Sequence, residues 1–386
     1  MSKWKMVRLG DVCAINMGQS PSSESYNEEK DGIPFYQGNA DFGEIHPNVR
    51  FYCNKPTKIA HKNDVLLSVR APIGAINIAT EKCCIGRGLC AITEKENVSY
   101  YKYIYYVLKK GKSELIAKGT GSTFKAINKA NLLDIRIPLP PLDVQKHIAD
   151  TLDKTREIID GYEKQLEELD NLIKATFYEM FGDPVANGSG WKKVLIEEAY
   201  EIIDGDRGVN YPKQDDFSNK GYCVFLNTGN VTTDGFNFDK VQYISMEKDK
   251  QLRKGKLSRG DIVFTTRGTV GNIAFYNNTI PYNIVRINSG MVLLRNKSYL
   301  SHPVFFCHLF RNPSMIRYYE TFLSGTAQPQ LPITNLRKIK VILPPIDLQE
   351  KFTEIVTKIE EQKAIVKQAI TESENLFNSL MSEYFD

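Results

Sequence analysis

Residues 131–145 read NLLDIRIPLPPLDVQ, and residues 335–349 read NLRKIKVILPPIDLQ. At an offset of 204 positions, eight of fifteen residues are identical. Asn131, Leu132, Ile135, Leu139, Pro140, Pro141, Asp143 and Gln145 recur as Asn335, Leu336, Ile339, Leu343, Pro344, Pro345, Asp347 and Gln349. Further matches lie upstream in the same order. NDVLLSVRAPIGAINIA (63–79) resembles GDIVFTTRGTVGNIAFY (260–276), with Arg70 over Arg267 and Gly74 over Gly271. Trp4-Lys5 resembles Trp191-Lys192. Several matches in one order make the chain an internal duplication, and a repeat decides the architecture before any local reading does.

Each copy has two parts. In the first, short β-rich runs such as VLLSV, AINIA, DIVFTT and MVLLR are bounded by Gly, Pro, Asn and Asp, with helical stretches such as 99–110 between them. A mixed α/β domain with a twisted sheet is expected over 1–141 and again over 187–345. The double proline closes each one, because proline cannot donate to a sheet and restricts the residue before it.

The second part is a long helix, expected over 142–186 and 346–386. After Pro141, core positions fall at Ile148, Leu152, Thr155, Ile159, Tyr162, Leu166, Leu169, Ile173, Thr176 and Met180. After Pro345 the same phase gives Phe352, Val356, Ile359, Lys363, Val366, Ile370, Ser373, Phe377, Leu380 and Tyr384. Alternating steps of four and three are the heptad seam of a coiled coil. Pairing the two helices antiparallel buries both stripes. The expected fold is therefore α+β: two similar mixed α/β domains separated by a two-helix antiparallel coiled coil, a pseudo-two-fold internal repeat. About 40 residues of helix make an arm of roughly 60 Å.

The composition narrows the function. With 386 residues, 42% hydrophobic and 25% charged, the chain has enough apolar content for two cored domains. Seven cysteines show no CxxC pairing, and the five histidines are scattered, so neither a disulfide scaffold nor a metal site is expected. A cytoplasmic setting fits best. The N-terminus lacks an apolar segment, and no long uncharged apolar run occurs, so no membrane association is expected.

Charge is more informative by segment than in total. Lys and Arg number 20 against 13 Asp and Glu in 1–141, giving +7. The corresponding figures are 5 against 11 (−6) in 142–186, 21 against 13 (+8) in 187–345, and 4 against 9 (−5) in 346–386. Both domains are basic and both helices acidic. A polyanion suits the domains, since phosphate contacts supply the sequence-independent share of nucleic-acid affinity. The acidic helices repel phosphate and suit solvent or a protein partner.

Catalytic signatures are missing. No GxxxxGK[ST] loop occurs, and the glycine pairs lack the GxGxxG continuation. Asn312-Pro313-Ser314-Met315 lacks the second proline and the aromatic of an amino-methyltransferase tetrad. No GxSxG or Cys/His arrangement stands out. No catalytic residue, metal ligand or cofactor is expected in this chain.

Tandem basic domains, each followed by a helix that starts at Pro-Pro-x-x-x-Gln, resemble the specificity (S) subunit of type I restriction–modification systems. The stretches that carry the likeness are GTGSTFKAINKANLLDIRIPLPPLDVQKHIADTL (119–152), SGTAQPQLPITNLRKIKVILPPIDLQEKFTEI (324–355) and VRAPIGAINIA…IGRGLCAI (69–92). The resemblance implies two target recognition domains, each reading one half of a split, asymmetric site in double-stranded DNA. It implies spacer helices that fix the gap between the halves. It further implies docking of two modification subunits, which bring S-adenosylmethionine, and of restriction subunits, with no catalysis by the S subunit itself. Some members carry an additional N-terminal segment, whose contacts are not expected here.

Base reading needs polar side chains on loops that reach a groove. In the first domain the candidates are Gln19, Ser20, Gln37, Asn39, Arg70, Arg87 and Lys125, with Tyr36 expected to stack or to touch a sugar. In the second they are Arg207, Asn227, Thr228, Asn230, Arg267, Thr269, Arg286 and Gln328. Arg70 and Arg267 recur between a strand and a glycine turn, which suits phosphate or base contact. An alternative reading is a non-catalytic adaptor whose coiled coil joins two ligand-binding modules.

Overall fold

The computed structural model describes residues 4–119, 125–297, 300–325 and 327–386. Residues 120–124 and Thr326, within the two stretches that carry the resemblance around the double prolines, lie outside the described residues. The chain divides into two compact units, one of residues 1–164 with 367–386 and the other of 165–366.

The first unit opens with β1 (Met6–Arg8) and β2 (Cys13–Met17), followed by β3 (Ile33–Tyr36), β4 (Val65–Ser68), β5 (Ile76–Ile78), β6 (Cys83–Ile85) and β7 (Leu89–Glu94). Helix α1 (Tyr101–Lys110), β8 (Arg136–Pro138) and α2 (Leu142–Phe181) complete the repeat. An antiparallel sheet runs β2-β7-β4-β5, with Ile15 opposite Ile92, Leu67 opposite Cys90 and Leu67 opposite Ile76. Its central strand explains the LCAITE sequence. Cys90 and Ile92 face one core with Tyr103, Ile104 and Leu152, whereas Leu89 and Ala91 face a second core with Tyr36 and Ile85. Both faces are covered, so Leu89 to Ile92 are all fully buried. A second sheet places β3 parallel to β6, Phe35 opposite Cys84. Strand β1 pairs with β8, Val7 opposite Ile137, which joins the two ends of the domain.

The second unit repeats the plan. Its strands are β9 (Lys193–Leu195), β10 (Tyr200–Asp204), β11 (Cys223–Leu226), β12 (Ile262–Thr265), β13 (Ile273–Phe275), β14 (Val285–Ile287) and β15 (Met291–Asn296). They are followed by α3 (Pro303–Arg311), β16 (Lys340–Ile342) and α4 (Ile346–Phe385). The sheet order is β10-β15-β12-β13, the parallel pair is β11 with β14, and β9 pairs with β16. Every major element of the first domain therefore has a counterpart in the second.

The proline–proline element has a physical explanation. Gln145, fully buried at the start of α2, accepts from the Tyr100 backbone N–H at 2.9 Å. Its amide donates to the carbonyls of Val98 (3.0 Å) and Pro140 (2.9 Å). Gln349 does the same for His302 (2.8 Å), Leu300 (3.0 Å) and Pro344 (2.7 Å). An amide that both donates and accepts is needed at this depth, where unpaired backbone groups are costly.

Within each unit α2 and α4 lie antiparallel. In the first, Ile148 and Leu152 share a core with Met381, Leu380 and Tyr384, and the Tyr106 ring meets Phe377 at 6.2 Å. Tyr106 and Lys102 on α1 also hold Asp153 of α2 at 2.6 and 2.5 Å. In the second, Phe352 of α4 packs edge-on against Phe177 (5.6 Å) and Phe181 (5.4 Å), and Lys363 pairs with Asp170 at 2.6 Å. The heptad phase slips by one residue near the end of α2. Phe177 and Phe181 are buried where Thr176 and Met180 were expected, because they also pack on Phe305 of the domain.

Candidate nucleic-acid interface

The first domain gathers its candidates by bringing loops together at glycines. A Cβ on Gly18 would lie 2.1 Å from the Gly86 carbonyl oxygen, and one on Gly88 would lie 2.5 Å from that of Gln37. Without side chains there, Gly18 N–H donates to Leu89 (2.9 Å), Gly86 N–H to Tyr36 (2.8 Å) and Val69 N–H to Gly88 (2.9 Å). The loop after β3 is pinned by Asp41, which is buried. Asp41 accepts from the backbone N–H groups of Gln37 (2.6 Å) and Gly38 (3.2 Å) and pairs with Arg50 at 2.5 Å.

The result is a cleft of about 600 Å³ lined by Ser20, Gln37, Asn39, Arg70 and Arg87, together with Tyr26. Ser20 Oγ accepts from the Arg87 backbone N–H at 3.3 Å. Ser68 Oγ donates to the Arg70 and Pro72 carbonyls at 3.0 and 2.9 Å, shaping the turn that presents Arg70. Both arginines are exposed, and among the described residues neither forms an ion pair. Their guanidinium groups face solvent with uncompensated charge beside Gln and Asn amides, the donor set that suits phosphates and base edges. Gln19 and Lys125 are exposed beside this cleft, next in sequence to Ser20 and to Ala126, the bridge partner of Arg70.

The second domain builds the same turn. Thr266 N–H donates to Gly290 (2.8 Å) and Gly271 N–H to Thr265 (3.1 Å), matching Val69 to Gly88 and Gly74 to Ser68 (3.0 Å). Arg267 bridges to Gln330 as Arg70 bridges to Ala126. Arg267, Thr269 and Gln328 are exposed. Thr228 is half-buried beside Gly290, whose Cβ would lie 2.9 Å from its methyl group. Asn227 caps the short turn, accepting from Gly229 N–H at 2.8 Å. Arg207 is exposed and held by Asp204 (3.1 Å) and the Ser289 carbonyl (3.2 Å).

Three candidates leave the surface. Arg286 is only 5% exposed and is spent inside the domain. Its Nε donates to Asp249 Oδ1 at 2.5 Å, and its other nitrogens donate to the carbonyls of Asp249, Leu252 and Lys254 at 2.9, 3.1 and 2.7 Å. Strand register shows why the sequence misled. Phe35 lies opposite Cys84 and Phe225 opposite Arg286, so Arg286 is the counterpart of a core cysteine and Ser289 is that of Arg87. Tyr36 is buried with Ile85 and Leu89 rather than free to stack, and that burial pushes its phenol up. Asn230, 3% exposed, accepts from Asn227 N–H (3.0 Å) and donates to the carbonyls of Asn237 (3.0 Å) and Lys240 (2.8 Å). It pins its loop as Asp41 pins the other. Asp41, Tyr26 and Ser289 also belong to these loops and carry no base-reading signature in the sequence. Only the near-repeat of YQGNAD and LNTGN hinted at the loop anchors.

Comparison with known proteins gives the same outline. The model of the type I restriction modification DNA specificity domain matches residues 1–171 and again 188–375. Over 174 residues the chain is 46% identical to the putative type I restriction enzyme MjaX specificity subunit of Methanocaldococcus jannaschii, a match covering 44% of this chain and 41% of the other. That likeness spans less than half of either protein. A longer match, 23% identical, covers 99% of this chain and 85% of the EcoBI specificity subunit of Escherichia coli. The fold is that of the S subunit of the type I restriction–modification system of M. genitalium, with a TM-score of 0.62 at 17% identity over 100% of this chain and 96% of the other. Two matches in tandem, over most of the chain, make it a member of the type I restriction modification DNA specificity domain family, with the domain present twice.

Proposed function

We propose that this chain is the DNA-sequence specificity subunit of a type I restriction–modification complex. Residues 1–141 and 187–345 are its target recognition domains, each reading one half of a bipartite, asymmetric duplex site. Residues 142–186 and 346–386 are the spacer that sets the gap between the halves. The contacts are made by Gln19, Ser20, Gln37, Asn39, Arg70, Arg87 and Lys125 in the first domain. In the second they are made by Arg207, Asn227, Thr228, Arg267, Thr269 and Gln328. The subunit is not catalytic, in keeping with a family whose chemistry lies in other subunits. Its partners are double-stranded DNA, two methyltransferase (modification) subunits that supply S-adenosylmethionine, and restriction subunits. The acidic helices offer the protein-docking faces, where Ile158, Leu172 and Ile365 are exposed. Its setting is the cytoplasm; no helix among the described residues is long and apolar enough to cross a membrane.

The observation that carries this reading is the pair Arg70 and Arg267. Each is exposed, and each projects from the same hydrogen-bonded turn in its own domain. Half-site readers suit a duplex whose target adenines must then be flipped from the stack by a methyltransferase. The test is duplex binding by the complex with its methyltransferase partner, measured against salt. Affinity falls steeply as salt rises, because phosphate contacts release counterions. A flat response favours the adaptor reading instead.

A further inference from the structure

Val209 is 97% exposed, and no other large apolar side chain among the described residues exceeds 68%. Its loop is not slack. Asp206, 8% exposed, accepts from the backbone N–H groups of Gly208 (2.8 Å), Arg253 (2.7 Å) and Lys254 (3.4 Å). Tyr211 N–H closes the turn on the Gly208 carbonyl at 3.0 Å, and Asn210 donates to the Gln251 carbonyl at 3.4 Å. An aliphatic side chain is thus held out in water by a braced loop, where a polar residue would serve stability equally well.

The place of that loop identifies its partner. It leaves the sheet at Gly205, where a Cβ would lie 2.1 Å from the Asn288 carbonyl oxygen. Gly18 stands in the same relation to Gly86, and the segment after Gly18 supplies Ser20 and Pro21 to the first domain's cleft. The Val209 loop therefore holds the second domain's counterpart of that cleft edge. It is flanked by exposed Arg253 and Lys254, and by exposed Arg207, whose charge is shared with Asp204 at 3.1 Å. Cations around one apolar tip suit a polyanion with an apolar feature. Valine has no donor or acceptor for base edges, and the apolar feature of the major groove is the thymine C5-methyl group.

We propose that Val209 reads a thymine methyl group in the half-site bound by the second domain. This rests on the DNA-reading assignment above. The test uses the complex with its methyltransferase partner and duplexes carrying the site defined by its own methylation pattern. Each thymidine of the half-site affected by Arg267→Ala is replaced in turn by deoxyuridine, which removes only the methyl. One replacement weakens binding of the unaltered protein about fourfold, the worth of one buried methyl. Val209→Ala weakens binding of the thymidine duplex by a similar factor and becomes indifferent to that replacement. Silence at every thymidine, or a Val209→Ala protein that keeps the full sensitivity, overturns the proposal while half-site selectivity stands. Loss of all sequence preference in the unaltered protein overturns the DNA-reading assignment itself.

Discussion

Gln145 and Gln349, 204 positions apart in the chain, hold one and the same place in their repeats. Each is fully buried, and each accepts from the backbone N–H at the N-cap of its domain's helix, Tyr100 for α1 and His302 for α3. The side chain fastens the first turn of a 40-residue helix to the domain that precedes it.

Gln145→Leu fills the space but leaves the Tyr100 N–H and the carbonyls of Val98 and Pro140 without their partner. A loss of about 1–3 kcal/mol follows from orphaned buried groups. Calorimetry records it as a lowered transition. Gln145→Glu sets a carboxylate against two carbonyl oxygens, which raises its folded pKa above the unfolded value. Its deficit is therefore smallest at low pH and grows as pH rises. An unchanged transition in Gln145→Leu counts against the role assigned to this residue.

The two second-domain arginines separate stability from recognition. Arg286→Ala leaves Asp249 buried with one cation fewer, at a cost of roughly 3–5 kcal/mol. Arg267→Ala touches only an exposed side chain, so the thermal transition stays while discrimination at one half-site weakens by about 1–3 kcal/mol, as for loss of a base-reading arginine. Thermal scans of both variants, with duplex binding to altered half-sites, check the pair. Equal loss of stability in both contradicts the placement of Arg267.

These arginines also show what the sequence could and could not convey. The duplication, the double-proline boundaries and the heptad seam are legible because they follow from covalent restriction and helical period. Arg70 over Arg267 is legible because the flanking glycine turn recurs with it. Arg286 is not. It lies in a short strand, where only register tells an exposed arginine from one that replaces a core cysteine. Phe177 and Phe181 were missed for a related reason, since a heptad pattern counts helix–helix contacts and not those with the adjoining domain.

On α4, neighbouring residues test the seam. Val366 is 6% exposed and Ile365 is 68% exposed. Val366→Asp buries an unpaired charge and lowers stability on the order of 3 kcal/mol. Ile365→Asp stays within about 0.5 kcal/mol in the isolated chain and weakens methyltransferase docking. Chemical denaturation of both, with a pull-down of the partner, reads the difference. Similar destabilisation by the two places the seam elsewhere.

Acid sensitivity has a defined source in the second unit. Burial pushes the His308 imidazole down to about 3, with Arg311 and Lys363 adding to the effect and Asp170 opposing it; His302 is lowered as well. Unfolded histidine titrates near 6.5. A base with a depressed folded pKa contributes fully above that value and loses its contribution as pH falls towards 3. Between pH 6.5 and about 5 most carboxylates remain ionised, so histidine dominates that interval. His308→Phe, which keeps the packing against Phe352, flattens the decline in stability there. A decline identical to that of the unaltered protein assigns the sensitivity to other groups.

Whether the two domains read independently is decided by the methylation pattern. The complex carrying Arg70→Ala and the complex carrying Arg267→Ala each modify DNA, and sequencing maps every methylated site. Each variant relaxes one half of the bipartite site, a different half for each, with the gap unchanged. Degeneracy in both halves from either single substitution rules out two independent readers.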